Sequence, residues 1–203
     1  MDYKNRNNLT DKNKRIYYVS VYQPDIHPKT REEKSQVIIE AQNTGYSKLR
    51  ISKNFTKDPD KFLSSYLINL GYHGTEKYLK NIKGSTEGLQ ADFLFFDFDN
   101  KENGEAISPD DDDRYMSFSR LESIMKNSDL NYIIKTSANH RDGYEKMHLL
   151  VATLKPLLSN EEVKLYRSAF LNQFPILDQL IDKSTSGFSQ NIIPSHPETV
   201  KVS

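Results

Sequence analysis

Two aspartates stand two positions apart at the end of an aromatic, apolar stretch that covers residues 91–100. Side chains in a β-strand alternate between its two faces, so Asp97 and Asp99 are predicted to point the same way. Two carboxylates held this close repel each other unless a cation lies between them, and hard divalent cations such as Mg2+ or Mn2+ prefer oxygen ligands. The pair predicts a metal site, with a strand that ends in a polar turn as the alternative. The alternate apolar side chains are expected to enter a core: Leu94, Phe96 and Phe98.

A histidine and a third aspartate follow later in the chain. His148 lies inside the apolar stretch 147–154, and Asp182 follows the apolar segment 176–181. Taken singly, a histidine within a strand is more often a hydrogen-bonded core residue, and an aspartate commonly ends an apolar segment. Their significance comes from their order after the aspartate pair.

The composition excludes disulfides and thiolate metal sites, because none of the 203 residues is cysteine. Ten Phe and twelve Tyr predict an aromatic-rich core. No apolar run approaches the roughly 20 residues that cross a bilayer, and the polar N-terminus lacks the apolar segment of a signal peptide. We therefore expect a cytoplasmic protein without a membrane partner.

The net charge is zero, but the charges are unevenly distributed. Residues 1–90 hold 16 Lys and Arg against 10 Asp and Glu, whereas residues 91–203 hold 12 against 18. A basic half is suited to following a nucleic-acid backbone, and an acidic half is suited to holding metal ions. An unevenly charged, solvated surface is the alternative.

Hydrophobic periodicity and capping residues predict alternating strands and helices. The predicted strands cover 15–22, 48–52, 92–98, 131–137 and 147–154. The predicted helices cover 30–43, 58–70, 76–82, 119–126 and 159–172, with Thr30 and Glu33 as a capping box, and Ser117 or Ser119 as the cap of the fourth helix. Residues 100–113 are predicted to be a polar loop whose acidic run, 110–113, is solvated.

This order predicts a mixed α/β (α+β) chain in two lobes. A flexible polar arm, 1–14, precedes an N-terminal α/β lobe, 15–88, and the boundary is expected near 84–88. In the second lobe, 89–203, a small antiparallel sheet is expected to pack on two helices and to end in a polar tail. The absence of an obvious closing element suggests a fragment of something longer.

Three short motifs occur in a recognisable order. An apolar strand ends in Asp97-x-Asp99; a second strand ends in Thr136-Ser137 and leads, through a turn with Gly143, to His148; an apolar stretch then ends in Asp182, followed by 191–195. This order resembles the archaeo-eukaryotic primase superfamily, the primase-polymerases, and is most similar to the versions of plasmids, phages and mobile elements. The resemblance covers about residues 90–195.

The resemblance implies a two-lobed primase-polymerase catalytic core with an RRM-like antiparallel sheet packed on helices. It also implies that Asp97, Asp99 and Asp182 bind two divalent metal ions, Mg2+ or Mn2+, and that His148 contacts the phosphates of the incoming nucleotide. Asp178 remains a rival for the third ligand. Asp182 is preferred because the residues after it fit the flank of the family motif.

The chemistry of nucleotidyl transfer agrees with these roles. The reaction needs an activated 3′-hydroxyl and a stabilised pyrophosphate leaving group, and two metal ions about 4 Å apart supply both. Basic neighbours of His148 are candidates for holding the triphosphate, together with Ser137 of the second motif: Lys135, Arg141 and Lys146.

Three alternatives compete with this interpretation. A polymerase-β-type nucleotidyltransferase has Gly-Ser about a dozen residues before Asp-x-Asp, as Gly84-Ser85 stands here, but this class leaves His148 without a role. A haloacid-dehalogenase-type phosphatase is disfavoured because Lys101 follows the pair. A non-catalytic replication or recombination accessory module would keep the scaffold and bind nucleic acid or a partner protein.

The expected partners follow from the preferred interpretation. They are a single-stranded DNA template, bound in part by the basic arm, and NTPs or dNTPs, with a helicase domain or protein as a further possibility. The expected process is primer synthesis or extension in the DNA replication of a mobile element.

Overall fold

The computed structural model describes residues 17–51, 59–73, 78–79, 89–102, 104–111, 113–141, 143–183 and 191–195. The strands in these ranges are β1 (Tyr17–Tyr22), β2 (Tyr46–Ile51), β3 (Leu67–Asn69), β4 (Gly71–His73), β5 (Tyr78–Leu79), β6 (Leu89–Phe98), β7 (Lys101–Glu102), β8 (Glu105–Ala106), β9 (Tyr132–Thr136), β10 (Met147–Leu157) and β11 (Asn191–Ile192). The helices are α1 (Arg31–Thr44), α2 (Pro59–Ser65), α3 (Phe118–Lys126), α4 (Asn160–Gln173) and α5 (Pro175–Leu180).

The strands form two antiparallel sheets and one separate hairpin. The first sheet has the order β11-β3-β1-β2-β5, and the second has the order β4-β6-β10-β9. Strands β7 and β8 pair only with each other in the described part of the chain. The prediction of a mixed α/β chain with antiparallel sheets and packed helices is confirmed at this level.

Strand β6 is covered on both faces. Phe96 and Phe98 are fully buried among residues of α3, α4 and α5, and the Phe96 ring lies 4.7 Å from that of Phe170. Phe93 and Phe95 face the first sheet and share a second core with residues such as Val19. Burial of each such side chain contributes roughly 1.5–3 kcal/mol. The predicted burial of Leu94, Phe96 and Phe98 is confirmed, and the opposite face, which ends in Asp97, is buried as well.

Three predicted helix starts have the expected caps. Thr30 accepts from the backbone N–H of Glu33, whose side chain in turn accepts from the N–H of Thr30, so the capping box of α1 is present. Ser117 caps α3 and Ser159 caps α4. None of the described helices is long and apolar enough to cross a membrane.

The helix predicted over 58–70 is wrong beyond Ser65. Its last residues instead form β3 and the connection to β4, and Leu67, Ile68 and Leu70 are almost completely buried there. Burial on both sides of a sheet favours a strand over the one-sided stripe of a helix, so tertiary packing overrides the local pattern. Tyr78–Leu79 is likewise a strand within the predicted 76–82 helix. The predicted 100–113 loop contains the β7–β8 hairpin.

The polar tail predicted after Asp182 contains an ordered strand. Strand β11 pairs with β3, and Asn191 accepts hydrogen bonds from Tyr46 at 3.0 Å and from Asn69 at 2.8 Å. Ser195 is fully buried, and its hydroxyl donates to the carbonyl of Thr136 at 2.6 Å. This segment therefore joins the two sheets.

Each sheet takes one strand from the other half of the sequence. Strand β4 precedes the predicted boundary but pairs with β6, and β11 follows it but pairs with β3. The arm, 1–14, and the boundary itself, 84–88, lie outside the described residues. The division into two lobes stays a prediction.

Candidate functional site

Three neighbouring strands bring Asp97, His148 and Lys135 into one row. His148 on β10 is directly opposite Asp97 on β6 and Lys135 on β9. Directly paired residues in a sheet present their side chains on the same face. The Nε2 atom of His148 lies 3.6 Å from Oδ1 of Asp97.

Asp182 is held against the outer edge of β6. Strand β4 covers this edge only as far as Ala91, so later carbonyls need other donors. The backbone N–H of Asp182 donates to the carbonyl of Asp97 at 2.8 Å, and the guanidinium of Arg167 donates to the carbonyl of Phe95. Two non-strand groups thus replace a missing strand and place Asp182 beside Asp97.

Asp99 lies among basic and aromatic groups. Its carboxylate forms an ion pair with the Lys146 ammonium, and Nζ of Lys101 lies 3.8 Å away. The hydroxyl of Tyr144 donates to the Asp99 carbonyl at 2.7 Å. An ammonium group therefore neutralises one of the carboxylates.

The electrostatic environment disfavours a charged Asp97. Burial raises the pKa of Asp97 to about 7, with repulsion from Asp99 and Asp182 as further causes, although Lys146 and Lys135 act in the opposite direction. All three predicted carboxylates are therefore close enough to interact. Asp178, the rival third ligand, is half exposed, with its carboxylate 3.9 Å from Nζ of Lys183.

Burial also shifts the pKa values of the two basic side chains in this row, Lys135 and His148. It lowers the pKa of Lys135 to about 7, and it lowers the pKa of His148 well below the usual value, with the charges of Lys135 and Lys146 adding to the effect. His148 is therefore a neutral imidazole at pH 7, and its Nδ1 atom is buried and has no hydrogen-bond partner among the described residues. A neutral ring is still able to donate one hydrogen bond.

The carboxylates fit a divalent cation by their donor chemistry. Asp97, Asp99 and Asp182 lie near one end of β6, and a bound cation would oppose both the burial and the weaker mutual repulsion that raise the pKa of Asp97. Among the described residues, no three His, Asp or Glu side chains converge in an arrangement that would hold a metal ion. Metal binding by these residues would require side-chain rotation.

A cleft of about 340 Å³ opens beside two of these carboxylates. Asp99 and Asp182 lie in its wall, together with three basic side chains, Lys101, Arg114 and Lys183. Arg114 forms ion pairs with Asp111 and Glu102. The pairing of Asp111 with Arg114 in a partly exposed loop agrees with a solvated role for the acidic run.

The predicted phosphate-binding residues occupy different environments. Lys146 lies at the site, but Lys135 is 1% exposed and its Nζ donates to the carbonyl of Ile193 at 3.1 Å. Ser137 is buried, and its hydroxyl accepts from the N–H of Asn139 at 3.2 Å. Arg141 is exposed, with its guanidinium carbon 5.4 Å from the centre of the Tyr144 ring. Lys135 is positioned as an internal support, not as a phosphate ligand.

Two residues at the site were not predicted. Arg167 lies on α4 and is buried, with its guanidinium 4.5 Å from the centre of the Phe96 ring. Lys34 lies on α1, and its ammonium donates to the side chain of Asn139. An arginine within an otherwise apolar helix face was a signal for the first, but nothing local indicates the second.

Asn100 fixes the exit of the chain from the site. It has a positive φ of 45°, and its side chain accepts from Met116 N–H at 2.8 Å and donates to the carbonyls of Met116 and Glu145 at 2.9 and 2.7 Å. We expect Asn100→Ala to lower the free energy of unfolding by about 2–3 kcal/mol, because two buried backbone groups and one partly buried carbonyl lose their partner. Asn100→Gly should cost slightly less, since glycine tolerates this backbone conformation. Urea unfolding of both variants measures the difference, and unchanged midpoints would exclude a structural role for these bonds.

The chain was compared with protein families, curated proteins and solved structures, and the chemistry of the site is the basis for assigning a function. No family model, no curated protein and no solved structure matches the chain.

Proposed function

We propose that this chain is the catalytic core of a DNA primase-polymerase, which joins nucleotides by metal-dependent nucleotidyl transfer. The observation that carries the proposal is the gathering of Asp97, Asp99 and Asp182 at the end of β6, with His148 facing Asp97. These residues come from three separate motifs, yet the fold brings them together. The raised pKa of Asp97, caused first by burial and then by repulsion from Asp99 and Asp182, is typical of carboxylates at functional sites and supports the proposal.

The topology of the second sheet supports an RRM-like core. Strands β6, β9 and β10 follow the chain order β-α-β-β-α with α3 and α4, and they lie in the spatial order β6-β10-β9. In an RRM-like sheet the last strand of the motif lies beside the first; here β4 occupies that edge. The helices pack on the face opposite to Asp97 and His148.

Each residue has a role in the proposed reaction. Asp97, Asp99 and Asp182 would hold two divalent cations, Mg2+ or Mn2+, which supply Lewis-acid activation of the 3′-hydroxyl and stabilisation of the pyrophosphate. His148, as a neutral ring, donates a hydrogen bond to a phosphate oxygen of the nucleotide. Lys146, which neutralises Asp99 in this structure, would pair with phosphate if Asp99 held a cation.

The substrates of the proposed enzyme are a single-stranded DNA template and NTPs or dNTPs. The basic N-terminal part of the sequence would contact template phosphates, which makes binding salt-sensitive. A helicase would be the partner in replication of a plasmid, phage or other mobile element in the cytoplasm.

Primer synthesis and extension on single-stranded DNA test the proposal. We expect incorporation of labelled NTPs or dNTPs with Mg2+ or Mn2+, and a loss of at least about a hundredfold in Asp97→Ala/Asp99→Ala, since both proposed metal ligands are removed. Asp178→Ala is the matched control and should retain activity. Wild-type protein that binds single strands but is inactive with both metals would contradict the enzyme assignment.

A non-catalytic nucleic-acid-binding module is the second candidate. The ion pair between Lys146 and Asp99 favours it, because that contact neutralises the site without metal. Such a module would bind single strands equally well with and without Mn2+.

A further inference from the structure

Two lysines from distant parts of the chain meet at the connection between β9 and β10. The ammonium of Lys34 on α1 donates to the side chain of Asn139 in this connection. Lys146 stands at the end of the same connection, and its backbone carbonyl accepts from the N–H of Ser137 at 2.9 Å. Asn139 stands two residues after Ser137, so the ammonium of Lys34 reaches the part of the connection that pairs with the backbone of Lys146. Burial, and then the charge of Lys146, lower the pKa of Lys34, in agreement with this placement.

Lys34 has no acidic partner among the described residues, and Lys146 shares its partner with the proposed metal site. Among the described residues, the acidic group that pairs with Lys146 is Asp99, which is also a proposed metal ligand, and the hydrogen-bond partner of Lys34 is the neutral Asn139. Lys146 is buried and Lys34 is partly buried, so their ammonium groups are shielded little by solvent, and an anion between them removes their repulsion. The chemical class that fits two converging ammonium groups beside a metal-binding carboxylate is a phosphate group.

Lys34 supplies a positive charge that was expected, on the basis of the sequence, from Lys135. Lys135 was the predicted phosphate ligand of the β9 strand, but its ammonium is enclosed and bound to the Ile193 carbonyl. Lys34 approaches the same end of the sheet from α1 and is partly exposed. The N-terminal half of the chain thus contributes a cation to the site.

We propose that Lys34 and Lys146 together bind a phosphate group, supplied either by the polyphosphate chain of a nucleotide or by the phosphodiester of a nucleic-acid strand. The location beside Asp99 rests on the proposed function, but the binding itself does not require catalysis. Lys34 is the deciding residue, since no sequence motif includes it.

Calorimetric titration with inorganic tripolyphosphate and with an oligothymidylate tests this site, each with and without Mg2+. We expect Lys34→Gln to weaken binding of at least one ligand about tenfold, the loss of one hydrogen bond to a charged group. Lys29→Gln is the matched control, because Lys29 is an exposed lysine immediately before α1. Circular dichroism and the melting temperature establish that both variants are folded.

The two ligands distinguish the source of the phosphate. A loss with tripolyphosphate identifies a nucleotide site, and a loss with the oligonucleotide identifies a strand site. Equal binding by wild type and Lys34→Gln under all conditions, or an equal loss in Lys29→Gln, would overturn the inference. Lys34-dependent binding by a protein that does not extend primers would refute the proposed enzyme and leave this site standing.

Discussion

Substituting Asp97 with asparagine is expected to make the metal-free protein more stable at pH 8, although the change removes a proposed metal ligand. The pKa of this carboxyl is about 7 in the folded protein and has the ordinary value of 3.8 in the unfolded chain. Between these values the folded state retains a proton that the unfolded state has released. Wild-type stability therefore falls as the pH rises from about 4 to about 7.

The asparagine variant lacks this dependence because it has no proton to release. A shift of this size corresponds to at most about 4 kcal/mol, and partial solvent access reduces it, so we expect a gain of about 2 kcal/mol above pH 7. The melting temperature at a series of pH values, measured in chelator, should rise by about 5 °C at pH 8 and should not change below pH 4.

Asp111→Asn is the control for this experiment. Its Arg114 partner holds the pKa of Asp111 below the usual range, so the same substitution there should not stabilise the protein. A fall in stability of Asp97→Asn at pH 8 would mean that Lys146 and Lys135 stabilise the ionised carboxylate more than burial and repulsion oppose it.

Replacing Arg167 with methionine is expected to destabilise the protein by about 2 kcal/mol, since the buried carbonyl of Phe95 loses its donor. Methionine keeps most of the contact with the Phe96 ring, so the loss reports mainly on the hydrogen bond. Arg167→Lys retains a charge and one donor, so its free energy of unfolding should lie between those of the wild type and Arg167→Met.

A second measurement tests whether Arg167 also positions Asp182. Hydrogen exchange at the Asp182 amide, which donates to Asp97, should be faster in Arg167→Met than in wild type. Lys164→Met removes a positive charge from the exposed side of the same helix and is the matched control. If the two methionine variants have the same stability and the same exchange rate, the Arg167 contact contributes nothing to either property.

Local signals predicted the elements that carry the site. The alternation around Phe96, the caps at Thr30, Ser117 and Ser159, and the polar turn before His148 are all short-range patterns, and each corresponds to a described element. The three aspartates were selected by their order in three motifs, and their role as metal ligands stays a prediction. The family resemblance itself stays a prediction.

Long-range packing explains what the sequence pattern did not predict. The residues of β3 continue the apolar pattern of the predicted helix and become a strand because neighbouring elements bury both of their sides. The enclosure of Lys135 depends on Ile193, and the arrival of Lys34 depends on how α1 docks. The residues next to Lys135 and Lys34 in the sequence give no signal of these contacts.

The position of β11 has a consequence for how the chain folds during synthesis. Its pairing joins Asn69 to Asn191, which are 122 positions apart, so the edge of the first sheet stays open until nearly all of the described chain has emerged. Pairings between such distant segments form slowly, because the entropy cost of closing a long loop comes before the strands form their hydrogen bonds. Until β11 arrives, the open edge of β3 is available to strands of other chains, so slow translation of the last segment should promote aggregation.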